Sequence, residues 1–420
     1  MSASPSSSGP AARRLSGVAA ASCMVVAALL SVFYLGPFQR QITGFFRLGG
    51  GAGEIGARTG RTHLRYPGQT GYDGQFYLAI ALDPAGARPE TFRFLDNADY
   101  RYRRILLPAL AFLAGAGRPR LIPWTFVALD GCAAVVLTVL VAAIARDRGR
   151  HPAWGLLVLS CPGLWASLLF STPDLLASTW TFAGIFLVGR GRHAGAAMAF
   201  ALAALAKETA LITFLCVVLW LVWSAGPRRA ATLLVAPLPA IAWIAWLYGP
   251  VGRGGGTTGV VENFALPLTG LCRAIVAGGD GETTAHLAFD KATLVATLFA
   301  VAVLAWKGVP ALPGLGRAIG GAYAVLVVLL SRQMLEGHLS HARSFLDVAI
   351  LLALGADGSW TRRLATFALS LFTAIVLALY LHGGAGARVE PGAPLAPVER
   401  FCRPFGENQG SGDVICTMQS

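Results

Sequence analysis

An all-α polytopic membrane protein of about eleven transmembrane helices is the fold class the sequence predicts. Three observations carry this prediction. The 420 residues are 55% hydrophobic and only 13% charged, with a mean hydropathy of +0.60; a soluble domain carries about 25% charged residues. Apolar runs of near-spanning length recur from residue 15 to residue 382. Arginines gather in the short loops between alternate runs, which is the pattern that sets membrane orientation.

The elements follow in order. Residues 1–12 are rich in Ser, Ala and Pro and read, with Arg13 and Arg14, as a disordered cytoplasmic N-terminus over 1–14. Leu15 to Pro37 is long enough to span a bilayer. Residues 38–119 form the first outer loop, polar and rich in Gly and Arg to residue 104; Ile105–Gly117 is then too short to cross and reads as interfacial or re-entrant. Spans follow at about 120–145, 153–170, 174–189, 194–206, 209–225 and 230–249. A second outer loop, 250–285, precedes spans at about 287–306, 317–334, 344–357 and 362–382. Residues 383–420 form a non-cytoplasmic tail, in which Cys402 and Cys416 are placed to form a disulfide outside the cytoplasm. Cys23, Cys132, Cys161 and Cys216 lie in apolar spans and read as small buried hydrophobes.

With the N-terminus in the cytoplasm, the basic clusters at 13–14, 146–150, 190–192, 228–229, 307–317 and 362–363 all fall on the cytoplasmic side. That count depends on a break near Ala206: were 194–225 one helix, everything after it would change sides. The net charge of +13 belongs to this pattern. No basic patch is interleaved with aromatics on a soluble domain, which argues against a nucleic-acid partner.

The candidate functional residues gather on the outer side. Tyr72, Phe76, Ala79 and Ile80 fall at helical spacing, giving a short amphipathic helix suited to a membrane surface, with Asp73 at its head and Pro84 at its end. Asp73 is either the base for an acceptor hydroxyl or the cap of a helix starting at Gly74. Asp83 before Pro84 reads as turn chemistry. Asp96 and Asp99 are candidates for a second acid or for sugar or metal binding. Arg101, Arg103 and Arg104 suit either a lipid phosphate or headgroup anchoring. Lys207 and Glu208 interrupt an apolar stretch, either as functional charges or as a helix–helix turn. Asp174 after Pro173 is a cap or a substrate group, and Arg343 at a late helix start is a phosphate candidate. His338 and His341 stand three apart, without a nearby acidic ligand in sequence, and no Cys/His metal spacing occurs.

Four segments carry a family resemblance: Tyr72-Asp-Gly-Gln-Phe-Tyr77 through Asp83-Pro84, Arg101-Tyr-Arg-Arg-Ile-Leu-Leu-Pro108, Ala203-Ala-Leu-Ala-Lys-Glu-Thr-Ala-Leu211, and Arg343. Together they resemble bacterial membrane glycosyltransferases of the GT-C class, and the first is similar to the first-loop motif of GPI-type mannosyltransferases. The resemblance implies a polyprenyl-phosphate-linked sugar as donor and a glycan, lipid or protein acceptor. It implies a multi-pass enzyme of the bacterial plasma membrane, among membrane lipids, with Asp73 as base. It further implies substrate binding by Tyr72, Gln75, Tyr77, Asp99, Arg101, Arg104, Lys207, Glu208 and Arg343. No Asp-Asp or Asp-x-Asp pair stands at the motif, which leaves the use of a divalent metal open. The rival class is a transporter or lipid flippase, which expects polar groups near the bilayer midplane rather than at one face.

Overall fold

The computed structural model describes residues 10–248, 263–276, 284–355, 360–382 and 387–392. They are overwhelmingly helical. Four helices are long and apolar enough to cross a membrane, within Pro10–Leu35, Ile122–Asp147, Thr284–Lys307 and Trp360–His382. A fifth crossing is supplied if Pro152–Ser160 and Pro162–Phe170 count as one broken span, bent by 60°. The bend has a local cause. Cys161 precedes Pro162, whose ring disfavours helical geometry in the residue before it, and Cys161 is extended at φ −81°, ψ 124°. This is the architecture of an all-α membrane protein.

Of the other apolar runs, 174–189, 194–206 and 209–225 form helices close to the expected bounds, whereas 230–249 and 317–334 give the shorter Leu238–Tyr248 and Leu315–Leu329. Asp174–Gly189, His193–Ala206, Ala210–Ala225, Leu238–Tyr248 and Leu315–Leu329 each have 10–17 residues. At about 1.5 Å per residue these fall short of a hydrocarbon core about 30 Å thick. The run expected to span 230–249 is helical in its later part only, from Leu238, after turns through Pro237. In the run expected over 344–357 the helix is Leu346–Leu354, preceded by the separate short helix His338–Ser344.

The break near Ala206 is present. His193–Ala206 ends where Lys207 turns extended, at φ −160° and ψ 131°, and a new helix starts at Ala210. The basic clusters converge at one end of the bundle. Arg190 meets Asp147 at 3.0 Å, Arg150 donates to the Leu354 carbonyl at 3.1 Å, and Arg362 donates to the carbonyls of Gly355, Lys307 and Gly308. Asp174 begins the helix that Gly189 ends, so Asp174 lies at the opposite end from Arg190.

Some expectations need correction. The first helix already includes Pro10–Arg14, so the N-terminal segment is not wholly irregular. Cys161 and Cys216 are buried, but Cys23 and Cys132 face outward from their helices. Cys402 and Cys416 lie outside the described residues.

The segment 38–119 is a folded layer rather than an open polar loop. It carries a three-stranded sheet in the order β1–β2–β3, with β1 (Leu48–Gly49) parallel to β2 (Thr62–Tyr66), and β2 antiparallel to β3 (Arg388–Pro391). One edge strand therefore comes from the tail, and the Arg65–Glu390 ion pair at 2.6 Å fastens it. Phe45, Phe46, Leu48, Leu64 and Tyr66 are buried beneath this sheet.

The helix Asp73–Ala81 corrects the expectation of a surface-lying amphipathic element. Gly74, Gln75 and Tyr77 through Ala81 are all buried, while Tyr72 and Phe76 are only partly so. The helix is walled in because its first turn rests on the end of Pro162–Phe170. A Cβ at Gly74 would lie 2.1 Å from the Phe170 carbonyl oxygen, a separation that only glycine permits.

Candidate functional site

The site is built around Asp73. The helix begins at Asp73 itself, and its N-cap is Tyr72, extended at φ −137°, ψ 171° and without a side-chain cap bond. The capping role for Asp73 is therefore not realised. Its two carboxylate oxygens go instead to two arginines: Oδ1 accepts from Arg101 Nη2 at 2.9 Å and Oδ2 from Arg343 Nη2 at 3.0 Å. Those arginines arrive from distant parts of the chain, one from the short helix Ala98–Tyr102 and one from the segment before the late helix Leu346–Leu354.

Each arginine also has a second anchor. Asn97 caps the short helix Ala98–Tyr102 by accepting from the Tyr100 amide at 3.0 Å. That turn presents Arg101 to Asp96, which accepts from Nε at 2.9 Å and from Nη2 at 2.7 Å in a bidentate pair. The Arg101 guanidinium also sits 4.8 Å from the Phe76 ring centre. Arg343 donates through Nε to the Leu339 carbonyl at 3.3 Å, lies 3.5 Å from Asp174 Oδ2, and packs over Tyr72 at 4.8 Å.

Two further ion pairs flank this arrangement. Lys207 bonds to Asp174, joining the helix break after Ala206 to the head of Asp174–Gly189. Arg104 grips Glu208 through Nε at 2.9 Å and Nη2 at 2.5 Å, donates through Nη1 to Tyr77 at 3.0 Å, and bonds to the Tyr100 hydroxyl. Arg104 is thereby committed to protein partners, and Tyr77 serves to hold it.

A cavity of about 260 Å³ opens over these groups and is lined by Tyr72, Asp73, Asp96, Arg101, Asp174, Lys207 and Arg343. A second space of about 240 Å³, walled by Ile212, Phe264, Leu326 and Leu330, lies on the other side of Tyr100, Arg104 and Lys207, which line both. Polar and apolar chambers therefore share a cationic partition. Four cations (Arg101, Arg104, Lys207, Arg343) are matched by four carboxylates (Asp73, Asp96, Asp174, Glu208) among these pairs.

The electrostatics follow from the pairing. Burial works to raise the Asp73 carboxyl, but Arg101 and Arg343 outweigh it and hold it well below the usual carboxylate range. Burial opposes ionisation of Glu208 as well, yet Arg104 brings it down to about 2. Burial pushes the Tyr100 hydroxyl up to about 12 in spite of the adjacent Arg104.

Of the sequence candidates, Tyr72, Asp73, Arg101, Arg104, Lys207 and Arg343 line the polar cavity, and Glu208 lines the apolar one. Gln75, Tyr77 and Asp99 do not line either. Gln75 instead accepts from the Gly49 amide at 3.0 Å and donates to the Thr70 carbonyl at 2.9 Å, tying the helix to β1. Asp83 caps a turn, accepting from the amides of Ala87 and Arg88 at 2.9 Å. His341 is buried with Nε2 3.1 Å from the Thr293 hydroxyl. Tyr100, Asn263, Gln333 and Ser344 also line the cavity; no sequence signal marked them, since each is an ordinary polar residue in a loop or at the end of an expected span.

Among the described residues no three His, Cys, Asp or Glu side chains converge as a metal ion requires. Asp73, Asp96, Asp174 and Glu208 are each bonded to a cationic side chain, so the residues present do not form a divalent-metal donor set. Comparison of the chain with family models, with curated proteins and with solved structures finds no match.

Proposed function

We propose that the chain is a membrane glycosyltransferase that moves a sugar from a polyprenyl-phosphate donor to a lipid, glycan or protein acceptor on the non-cytoplasmic face. In this reading the shorter apolar helices complete about eleven crossings of a bacterial plasma membrane. The N-terminus is cytoplasmic and the tail lies outside. The convergence of Arg150, Arg190 and Arg362 at the end of the bundle away from Asp174 supports that orientation.

The observation that carries the proposal is the placement of a carboxylate, 24% exposed, between two arginines in a cavity that borders an apolar chamber. A lipid-linked sugar phosphate has matching parts: an apolar chain, an anionic phosphate and a polar sugar. The acceptor hydroxyl oxygen attacks the anomeric carbon. The bond from that carbon to the phosphate oxygen breaks, and polyprenyl phosphate leaves with the electron pair. Asp73 takes the hydroxyl proton, and Arg101 and Arg343 stabilise the charge on the leaving phosphate.

The test is transfer from a polyprenyl-phosphate sugar in membranes. Normally inserted Asp73→Asn protein is expected to lose transfer, and full retention of activity would sink the proposal.

A further inference from the structure

The proposed base is tied up by the same arginines that are to receive the phosphate. Both Asp73 oxygens are engaged, one by Arg101 and one by Arg343. A carboxylate in that state is a weak acceptor for a hydroxyl proton. The two other cations of the site differ from this pair. Arg104 is spent on Glu208, Tyr77 and Tyr100, and Lys207 on Asp174.

We infer that a phosphodiester entering the cavity exchanges places with Asp73 on Arg101 and Arg343, and that this exchange releases the carboxylate to act as base. The inference rests on the glycosyltransferase reading and adds an order of events to it: the base becomes competent only after the donor phosphate has docked.

Three features favour exchange over simple addition. Both arginines line the cavity together with Asp73, so an anion reaches them from the open side. Each arginine keeps another anchor when it lets Asp73 go: Arg101 on Asp96 and the Phe76 face, Arg343 on the Leu339 carbonyl and Tyr72. Neither guanidinium is left adrift, and neither must move far. The ion pairs of the site are also already balanced, four charges against four, so a new anion is neutralised most directly by displacing one already present. The chemistry suits a singly charged diester, which replaces one carboxylate by one phosphate charge.

The exchange has a consequence of definite sign. Asp73 competes with the incoming phosphate, so removing its charge strengthens anion binding. The probe is geranyl methyl phosphate, a diester with one negative charge, titrated calorimetrically into the full-length protein in lipid nanodiscs. Asp73→Asn is expected to bind it about tenfold more tightly than the wild type. Equal or weaker binding by the variant overturns the exchange.

The wild-type protein supplies a second measurement, should the variant fail to fold. Asp73 faces Arg101, Arg343, Tyr72, Tyr77, Asp96 and Asp174. Freed from its arginines, it returns toward the ordinary carboxylate range, so docking takes up a proton. Wild-type affinity is expected to rise about twofold as pH falls from about 6 to about 4, and Asp73→Asn to lack that rise. A flat wild-type profile overturns the inference. Absence of diester binding in both proteins overturns the lipid-phosphate reading together with it. Tighter binding by Asp73→Asn, beside a wild type that transfers no sugar, upholds the exchange and removes the glycosyltransferase assignment alone.

Discussion

Arg104 and Glu208 meet across 104 residues of sequence with the fork of one side chain set on the fork of the other, at 2.9 Å and 2.5 Å. The pair couples the segment after the short helix Ala98–Tyr102 to the break between two apolar helices, so two distant elements share one electrostatic joint.

Cutting that joint on one side leaves the other partner uncompensated. Arg104→Gln is expected to destabilise the protein by about 2–3 kcal/mol, somewhat less than a fully buried pair because Glu208 keeps partial access to solvent. The double variant Arg104→Gln/Glu208→Gln recovers part of the loss. Thermal unfolding of the four proteins in one detergent, read as a double-mutant cycle, checks it; strict additivity would contradict the pairing.

The same pair has a pH signature. Arg104 holds Glu208 near 2 in the fold against an ordinary carboxyl value of 4.5, so its stabilisation is complete above about 4.5 and is lost as pH falls toward 2. The wild type is expected to lose more melting temperature across that window than Glu208→Gln does. Parallel curves would rule out the depressed carboxyl.

Gly74 is the tightest contact beneath Asp73. Gly74→Ala places a methyl carbon 2.1 Å from the Phe170 carbonyl oxygen, which forces the helix away from its support. A loss of about 3 kcal/mol is expected from such overpacking. Gly51→Ala, which meets no atom within 4 Å, is the control and is expected to leave the melting temperature unchanged. Equal behaviour of the two variants would contradict the packing.

The two aspartates of the first motif separate by function. Asp73→Asn is expected to lower transfer about 10²–10⁴-fold, the usual contribution of a positioned base. Asp83→Asn weakens only the turn held by the Ala87 and Arg88 amides, at a cost of about 1 kcal/mol in stability, with transfer retained in protein that folds. Assays of both variants at matched membrane protein levels decide the matter, and a reversed order would move the base to Asp83.

Much of this arrangement is legible in the amino-acid sequence because charge in an apolar chain is conspicuous. Lys207 and Glu208 break an alanine-rich run, and the fold breaks there. Asp73 is marked as the head of a short amphipathic helix and Arg343 as a cation at a late helix start, but nothing in one segment announces that they touch. The bond between them spans 270 residues. The resemblance implies substrate binding by Tyr77 and Gln75, whereas in the fold their polar atoms are engaged by Arg104 and by the backbone of Gly49 and Thr70. The runs at 153–170 and 230–249 are not single helices because hydropathy registers apolar composition and not the turn geometry at Cys161 or before Leu238.

The tail strand has a bearing on how the protein is made. Most of β2 pairs with Arg388–Pro391, synthesised more than 300 residues after it. During translation the outer layer therefore waits, with that edge of β2 unpartnered, until the helix Trp360–His382 has followed. Gln75 links the Asp73 helix to β1, and β1 rests on β2. The site thus acquires its last support only when the growing chain has delivered residues 388–391, which makes its completion one of the latest events in biogenesis.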